Sequence, residues 1–258
     1  MIPVIPWYVT LITVVTDILA GLAVWLILST AAGRSDLAPI SQGRFRIGAA
    51  IFLGGWLGAA LLLAPHPSSL LTTDRFAISP MIPVFALASF AIALLAFLFS
   101  PTVRRVLGAA SLPALMGVQV YRAVGFVFIV LLVQGQLPAH FAEPAGWGDI
   151  AVGLAAPVIA LALARGVGGS RALAIGWNVF GLLDLFVAVG MGTGLLAAVL
   201  MPELGPRVPP AAAMGAFPMI LVPLFAVPLS IILHVIALGR LRLAHRLGAV
   251  ADVPASLA

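Results

Sequence analysis

The chain contains no cysteine and no lysine. The first absence excludes disulfides, thiolate nucleophiles, cysteine-ligated iron–sulfur clusters and thiolate zinc sites. The second excludes a retinal Schiff base and any lysine-based covalent catalysis. All thirteen basic residues are therefore arginine. Charge of either sign is scarce as well. Charged residues make up 8% of the 258 positions, where a soluble domain carries roughly 25%. Hydrophobic residues supply 63%. Apolar runs of about 20 residues, the length that crosses a bilayer core, recur along the sequence. The expectation is an all-α integral membrane protein with the lipid bilayer as its first partner.

Seven spans are predicted, at about 6–30, 47–64, 80–100, 115–134, 147–164, 172–193 and 214–238, with residues 194–201 as an apolar extension of the sixth. No linker is long enough to divide the chain, so residues 1–258 read as one polytopic domain. The first apolar run lacks a positive leader and exceeds the core of a signal peptide, and is read as a retained span although Ala31-Ala32-Gly33 looks slightly like a cleavage site. The net charge of +5 sits at span ends rather than in a basic stripe with aromatic platforms, which excludes nucleic acid as a partner. The segments after spans 1, 3, 5 and 7 hold ten arginines, against Arg75 and Arg207 on the other side. That asymmetry predicts a seven-helix bundle with the N-terminus outside and the C-terminus cytoplasmic.

Trp7, Trp147 and Trp177 fall near span ends and read as interfacial anchors. Ala50, Gly54 and Gly58 recur every fourth residue and predict a small-residue face for close helix packing.

Polar residues inside apolar runs are costly in lipid, so each is a functional candidate with a structural ion pair as its rival. Asp17 lies mid-way along span 1, with Thr10, Thr13 and Gly21 on its face. That stripe lines a polar path or forms a hydrogen-bonded seam. Arg122 lies in span 4, one turn after Gln119. A guanidinium stays charged, so Arg122 requires a carboxylate, carbonyls or an anionic ligand, unless it snorkels to the interface. Asp184 in span 6 and Asp17 are its natural partners. Trp177 and Asp184 share a face, and Asn178 is expected to point elsewhere. His234, near the end of span 7 and one turn after Ser230, reads as a hydrogen-bonded core histidine or a proton relay. No second histidine stands at its depth, so bis-histidine haem is not expected. No cofactor and no metal are predicted. Pro218, Pro223 and Pro228 break span 7 and free carbonyls near Met219 and Leu224, giving a static kink or a hinge.

Three weaker patterns compete. His66, His140, Glu143 and Asp149 could gather at an outer mouth as divalent-cation ligands. Gly146-Trp-Gly-Asp149 matches the Gly-x-Gly-Asp element of intramembrane aspartyl proteases, with Asp17 or Asp184 as the second carboxylate. The accompanying Pro113-Ala-Leu tripeptide, however, precedes it. Finally, Asp17-Ile-Leu-Ala-Gly21 resembles Asp149-Ile-Ala-Val-Gly153, as parallel repeats would, although the two aspartates are expected at different depths.

The set Gln119-x-x-Arg122-x-x-Gly125, Leu137-Pro138, Phe141, Pro144 to Asp149, Trp177-Asn178-x-x-Gly181-x-x-Asp184 and Pro228 to His234 resembles a group of uncharacterised bacterial multi-span membrane proteins. The resemblance covers spans 4 to 7 and implies a bacterial inner-membrane setting. It brings no known activity.

The ligand- or proton-handling set is thus Asp17, Gln119, Arg122, Asp149, Asn178, Asp184 and His234. Three readings of function follow. The first is a permease or proton-coupled carrier for a small polar or anionic solute, with Arg122 fixing the solute. The second is a membrane-embedded enzyme acting on a lipid or isoprenoid through Asp149, Asp184 and His234. The third is a structural or sensory subunit in which the polar set only fixes helix register.

Overall fold

A computed structural model of the chain describes residues 5–64, 81–200 and 211–251. Among them every regular element is a helix. Helix α1 is Trp7–Arg34, α2 is Pro39–Leu63, α3 is Met81–Phe99 and α4 is Pro101–Ala109. The chain continues through α5, Leu112–Gly117, a 3-10 segment, Val118–Gly125, and α6, Phe126–Val133. Then come α7, Ala139–Ala164, α8, Ser170–Gly192, and the short α9, Leu195–Leu200. A 3-10 turn at Ala212–Gly215 and a π-helical turn at Val222–Ala226 lead into α10, Val227–Ala251. Seven of the described helical stretches are long and apolar enough to cross a membrane, counting Leu112–Val133 and Val222–Arg242 as one stretch each. The predicted loops with His66, Asp74 and Arg75 and with Glu203 and Arg207 lie outside the described residues, as do the side chains of His245 and Arg246.

Helix α1 shows how the faces divide. Val9, Thr13, Asp17, Gly21 and Val24 recur at three or four residues and are buried, while Leu11, Val15, Ile18 and Leu22 face outward. An outward face of leucine and isoleucine suits a hydrocarbon solvent rather than water.

Several helices run past their apolar windows. Helix α2 starts at Pro39, so Arg44 and Arg46 are helical, and α7 starts at Ala139, so His140 and Glu143 lie on its first turns rather than in a loop. Hydropathy marks the apolar part of a helix, whereas its ends are set by caps. Pro39 opens α2, and Ser100 and Ser111 each accept a backbone N–H at the starts of α4 and α5. At C-termini, arginines take up orphan carbonyls. Arg104 donates to Phe97 O and Leu98 O, and Arg240 donates to Leu107 O and Ala110 O.

Four expectations need correction. The segment 194–201 does not extend α8. Gly194 adopts a left-handed φ of 79°, and α9 packs back so that a Cβ on Gly190 would stand 2.8 Å from Leu196 Cβ. The stretch predicted as a helix from 214 is a series of turns as far as residue 220, and a regular helix resumes only after the π-helical turn, because prolines 218 and 223 remove backbone donors. The Ala50, Gly54 and Gly58 face has no close helix neighbour among the described residues. Ala50 and Gly54 are exposed, and Cβ atoms on Gly54 and Gly58 would meet no atom within 4 Å among the described residues. Trp177 is not an interfacial anchor. It is 7% exposed, and its indole donates to Val152 O at 3.2 Å. Trp7 and Trp147 do face outward.

Apolar clusters lie on either side of a polar layer. Val127, Phe128, Leu131, Phe141, Ala145 and Met191 form one cluster. Met116, Val152, Ile159, Trp177, Ala237 and Leu241 form another. On three successive stretches the polar residue falls between them in sequence. Arg122 lies between Met116 and Val127, Asp149 between Ala145 and Val152, and Asp184 between Trp177 and Met191. A third cluster, with Trp56, Phe225, Leu229 and Leu233, closes the side toward α1 and α2.

Candidate functional site

The polar layer is built on a break in the fourth long stretch. Gln119, Arg122 and Gly125 are all buried and lie three residues apart. A 3-10 helix has three residues per turn, so this spacing stacks them in one row. An α-helix would fan them apart. The sequence here predicts an uninterrupted helix; the observed 3-10 segment follows the period-three placement of its inward residues.

Arg122 stands at the centre. Its Nε donates to Asp149 Oδ1 at 2.7 Å, and its Nη2 donates to Asp184 Oδ2. Nη1 donates to Gly181 O at 3.3 Å and meets His234 Nε2 at 3.1 Å. Four of the five guanidinium donors are thereby used. The arginine side chain is 2% exposed, and those of Asp149 and Asp184 are 17% and 7% exposed. His234 is fully buried, packs at a tilt against Trp177 with ring centroids 5.2 Å apart, and bonds Asn178 Oδ1 through Nδ1 at 2.8 Å. Asn178 is buried with Trp177 and Asp184 instead of facing away from them. The buried surface of α8 is wide enough to take all three.

Glycines make this density possible. A Cβ on Gly148 would overlap the Asp184 carboxylate, and one on Gly125 would overlap Asp149. A Cβ on Gly153 would overlap the backbone of Ala123, and one on Gly181 would press on His234 and on Arg122 Nη1. These glycines are the site residues that sequence reasoning missed. Their signal was present in the spacing Gly125, Gly146-x-Gly148-Asp149 and Gly181-x-x-Asp184.

A second hydrogen-bonded group continues the layer. Gln119 Nε2 donates to Ser230 O at 3.2 Å, and Ser230 Oγ donates to Gln119 Oε1 at 3.1 Å. The Tyr121 hydroxyl lies 2.5 Å from Ser230 Oγ and 3.1 Å from Ala226 O.

The expected pairing of Asp17 with Arg122 is not what the structure shows. Asp149 takes that place. Asp149 is expected near an outer boundary, but α7 begins early enough to set it inside the layer. Asp17 instead faces a cavity of about 50 Å³, shared with Thr13, Thr16, Tyr121, Asp149 and Ser230. Asp17 is 3% exposed and Thr13 is 4% exposed. Asp17 Oδ2 and Thr13 Oγ1 have no hydrogen-bond partner among the described residues. The two aspartates compared as a repeat therefore line the same cavity, from α1 and α7. Each has a glycine one turn on that admits a neighbour: Gly21 admits Phe225, and Gly153 admits Ala123.

The competing patterns fare differently. An aspartyl-protease dyad needs two carboxylates close enough to share a proton. Asp149 and Asp184 each hold the Arg122 guanidinium instead, one at Nε and one at Nη2. The proposed metal mouth loses Asp149 to Arg122, Glu143 is exposed, and His66 lies outside the described residues.

A family model described as a domain of unknown function (DUF8737) matches residues 79–242. The chain belongs to that family. The matched region takes in Gln119, Arg122, Asp149, Asn178, Asp184 and His234, whereas Asp17 and Thr13 fall outside it. No curated protein and no solved structure matches the chain.

Proposed function

We propose that this is a multi-pass protein of the bacterial inner membrane, N-terminus outside and C-terminus cytoplasmic, that works as a proton-coupled carrier for a small polar solute. Asp17 handles the proton, and the adjoining cavity receives the solute. The observation that supports this most directly is the buried carboxylate oxygen of Asp17, unpartnered among the described residues, on a cavity beside a long apolar helix. An ionisable group placed there is expensive without a role. The arginine asymmetry supports the orientation. Arg122 gives its donors to Asp149, Asp184, Gly181 and His234, so we assign it to holding the layer together rather than to fixing an anionic solute. The reading accordingly shifts toward neutral or cationic solutes.

The test is reconstitution of the purified chain into liposomes loaded with a pH-sensitive dye, followed by a panel of small amines, amino acids and sugars. At least one class should move protons in a solute-dependent way, with loss of that signal in Asp17→Asn and retention in Arg165→Gln. Solute uptake that is unchanged in Asp17→Asn would sink the assignment.

One observation favours the lipid-enzyme reading. An apolar cavity of about 440 Å³ lies between α6 and α7, lined by Phe126, Val130, Val133, Gln134, Trp147 and Ile150 among others. Val133 and Trp147 are exposed there, so the groove opens at the outer surface of the helices, which supports access from lipid. A tightly bound lipid that Trp147→Ala releases, seen by native mass spectrometry, would move the weight to that reading.

A further inference from the structure

The cavity at Asp17 has a definite chemistry. Its lining is mostly apolar and includes the oxygen-bearing side chains Thr13, Thr16, Asp17, Tyr121, Asp149 and Ser230, together with Arg122. The titratable and charged groups that face it are Asp17 from α1, Tyr121 and Arg122 from the 3-10 segment, and Asp149 from α7. Arg122 is already shared between Asp149 and Asp184. With the three carboxylates ionised, two negative charges are left without a counter-charge. The unpartnered atoms are acceptors or hydroxyls, namely Asp17 Oδ2 and Thr13 Oγ1, which lie one helical turn apart. Both residues are more than nine-tenths buried. Such atoms lack a donor, and burying them without one costs free energy.

An ammonium group supplies what is missing. It brings one positive charge and several N–H donors. A divalent metal ion would need a shell of about six oxygens, whereas Asp149 is already held by Arg122, and Tyr121 and Ser230 are bonded to each other and Ser230 to Gln119. The remaining wall is apolar, with Val127, Phe128, Leu185 and Val222. A volume of about 50 Å³ exceeds that of a single water probe, put at about 10–15 Å³, and leaves room only for a very small organic ion.

We infer that this cavity binds a small ammonium-type cation, ammonium or a short primary alkylammonium, with the Asp17 carboxylate and the Thr13 hydroxyl as its first partners and Asp149 opposite. The inference rests on the carrier reading for its purpose and names the solute class. A carboxylate paired with an ammonium group does not hold a proton at the same time. Binding of the solute and release of the proton from Asp17 are then two sides of one exchange.

The experiment compares thermal melts of the full chain in mild detergent with ammonium, methylammonium, sodium and choline chlorides at equal ionic strength. Binding to the folded state raises the melting temperature by mass action. The expected result is a saturable rise with ammonium and methylammonium that sodium and choline do not produce. It should disappear in Asp17→Asn and weaken in Thr13→Val, while Arg165→Gln behaves as wild type. If Asp17→Asn fails to fold, Thr13→Val carries the comparison. Equal shifts with all four salts, or a shift with sodium alone, would overturn the inference. The liposome assay separates the two claims. Proton movement with an uncharged solute and no ammonium effect on the melt keeps the carrier and discards the amine class. Ammonium-specific stabilisation without any flux keeps the site and discards the carrier.

Discussion

Arg122 Nη1 stands 3.1 Å from His234 Nε2, and this pair fixes the protonation of a chain of groups. A guanidinium nitrogen never accepts a hydrogen bond. His234 Nε2 is therefore the acceptor, and the imidazole proton sits on Nδ1. That proton is donated to Asn178 Oδ1 at 2.8 Å, and Asn178 Nδ2 in turn donates to Ala174 O at 2.7 Å. The relay ties the 3-10 segment, α10 and α8 together in one direction. Nitrogen-15 spectra of histidine-labelled protein at neutral pH should show His234 as the Nδ1–H tautomer. An Nε2–H signal for that residue would contradict the relay.

Arg122→Met should destabilise the fold strongly. It leaves the Asp149 and Asp184 carboxylates without their counter-charge, and breaking a buried ion pair costs about 3–5 kcal/mol. Removing the charges together is milder, because no unpaired charge remains, although His234 Nε2 and Gly181 O still lose the Arg122 donor. The triple variant Arg122→Met, Asp149→Asn, Asp184→Asn should therefore recover most of the loss in chemical unfolding. If the triple variant is as unstable as the single one, the ion pairs are not what Arg122 contributes.

Gly148→Ala and Gly181→Ala should each lower stability, by about 1–3 kcal/mol for overpacking a tight core. The added methyl meets Asp184 in one case and His234 in the other. Gly43→Ala and Gly54→Ala serve as controls, since a Cβ at those positions would meet nothing within 4 Å among the described residues. Equal behaviour of all four variants in a melt would remove the argument that glycines set the density of the polar layer.

The pattern of what could be read from the sequence follows from this packing. Hydropathy located all seven long apolar stretches, because lipid solvation acts on windows of residues and needs no partner. The same reasoning selected Arg122, Asp149, Asp184, Asn178 and His234, since isolated polar residues in apolar runs stand out. Pairing was harder. Rough depth alone matches Asp17 to Arg122, but the choice between Asp17 and Asp149 depends on where α7 starts and on which glycines let helices approach. Those are contact properties, and Gly125, Gly148 and Gly181 carry no charge or hydropathy that would announce them. The 3-10 segment lies between these cases. Its period-three row of Gln119, Arg122 and Gly125 was on view, yet a run of valines and alanines inside an apolar window reads first as α-helix.

Trp56 and Pro228 offer the sharpest test of how the seventh stretch is held. Pro228 has no N–H, so the carbonyl four residues earlier, that of Leu224, loses its usual helical donor. Trp56 Nε1 donates to Leu224 O at 2.8 Å instead, from α2. The indole also packs against Phe225, with ring centroids 5.0 Å apart. Trp56→Phe keeps most of the packing and deletes the donor, leaving a buried carbonyl unsatisfied at a cost of about 1–3 kcal/mol. Pro228→Ala restores a peptide N–H to the chain. In the double variant that N–H can turn to Leu224 O, so the loss should be smaller than the sum of the single effects. A double-mutant cycle on unfolding free energies measures this coupling. Strict additivity would mean that the π-helical turn at Val222–Ala226 keeps the restored N–H away from Leu224 O. The turn would then be a rigid feature of the backbone rather than an arrangement that Trp56 completes.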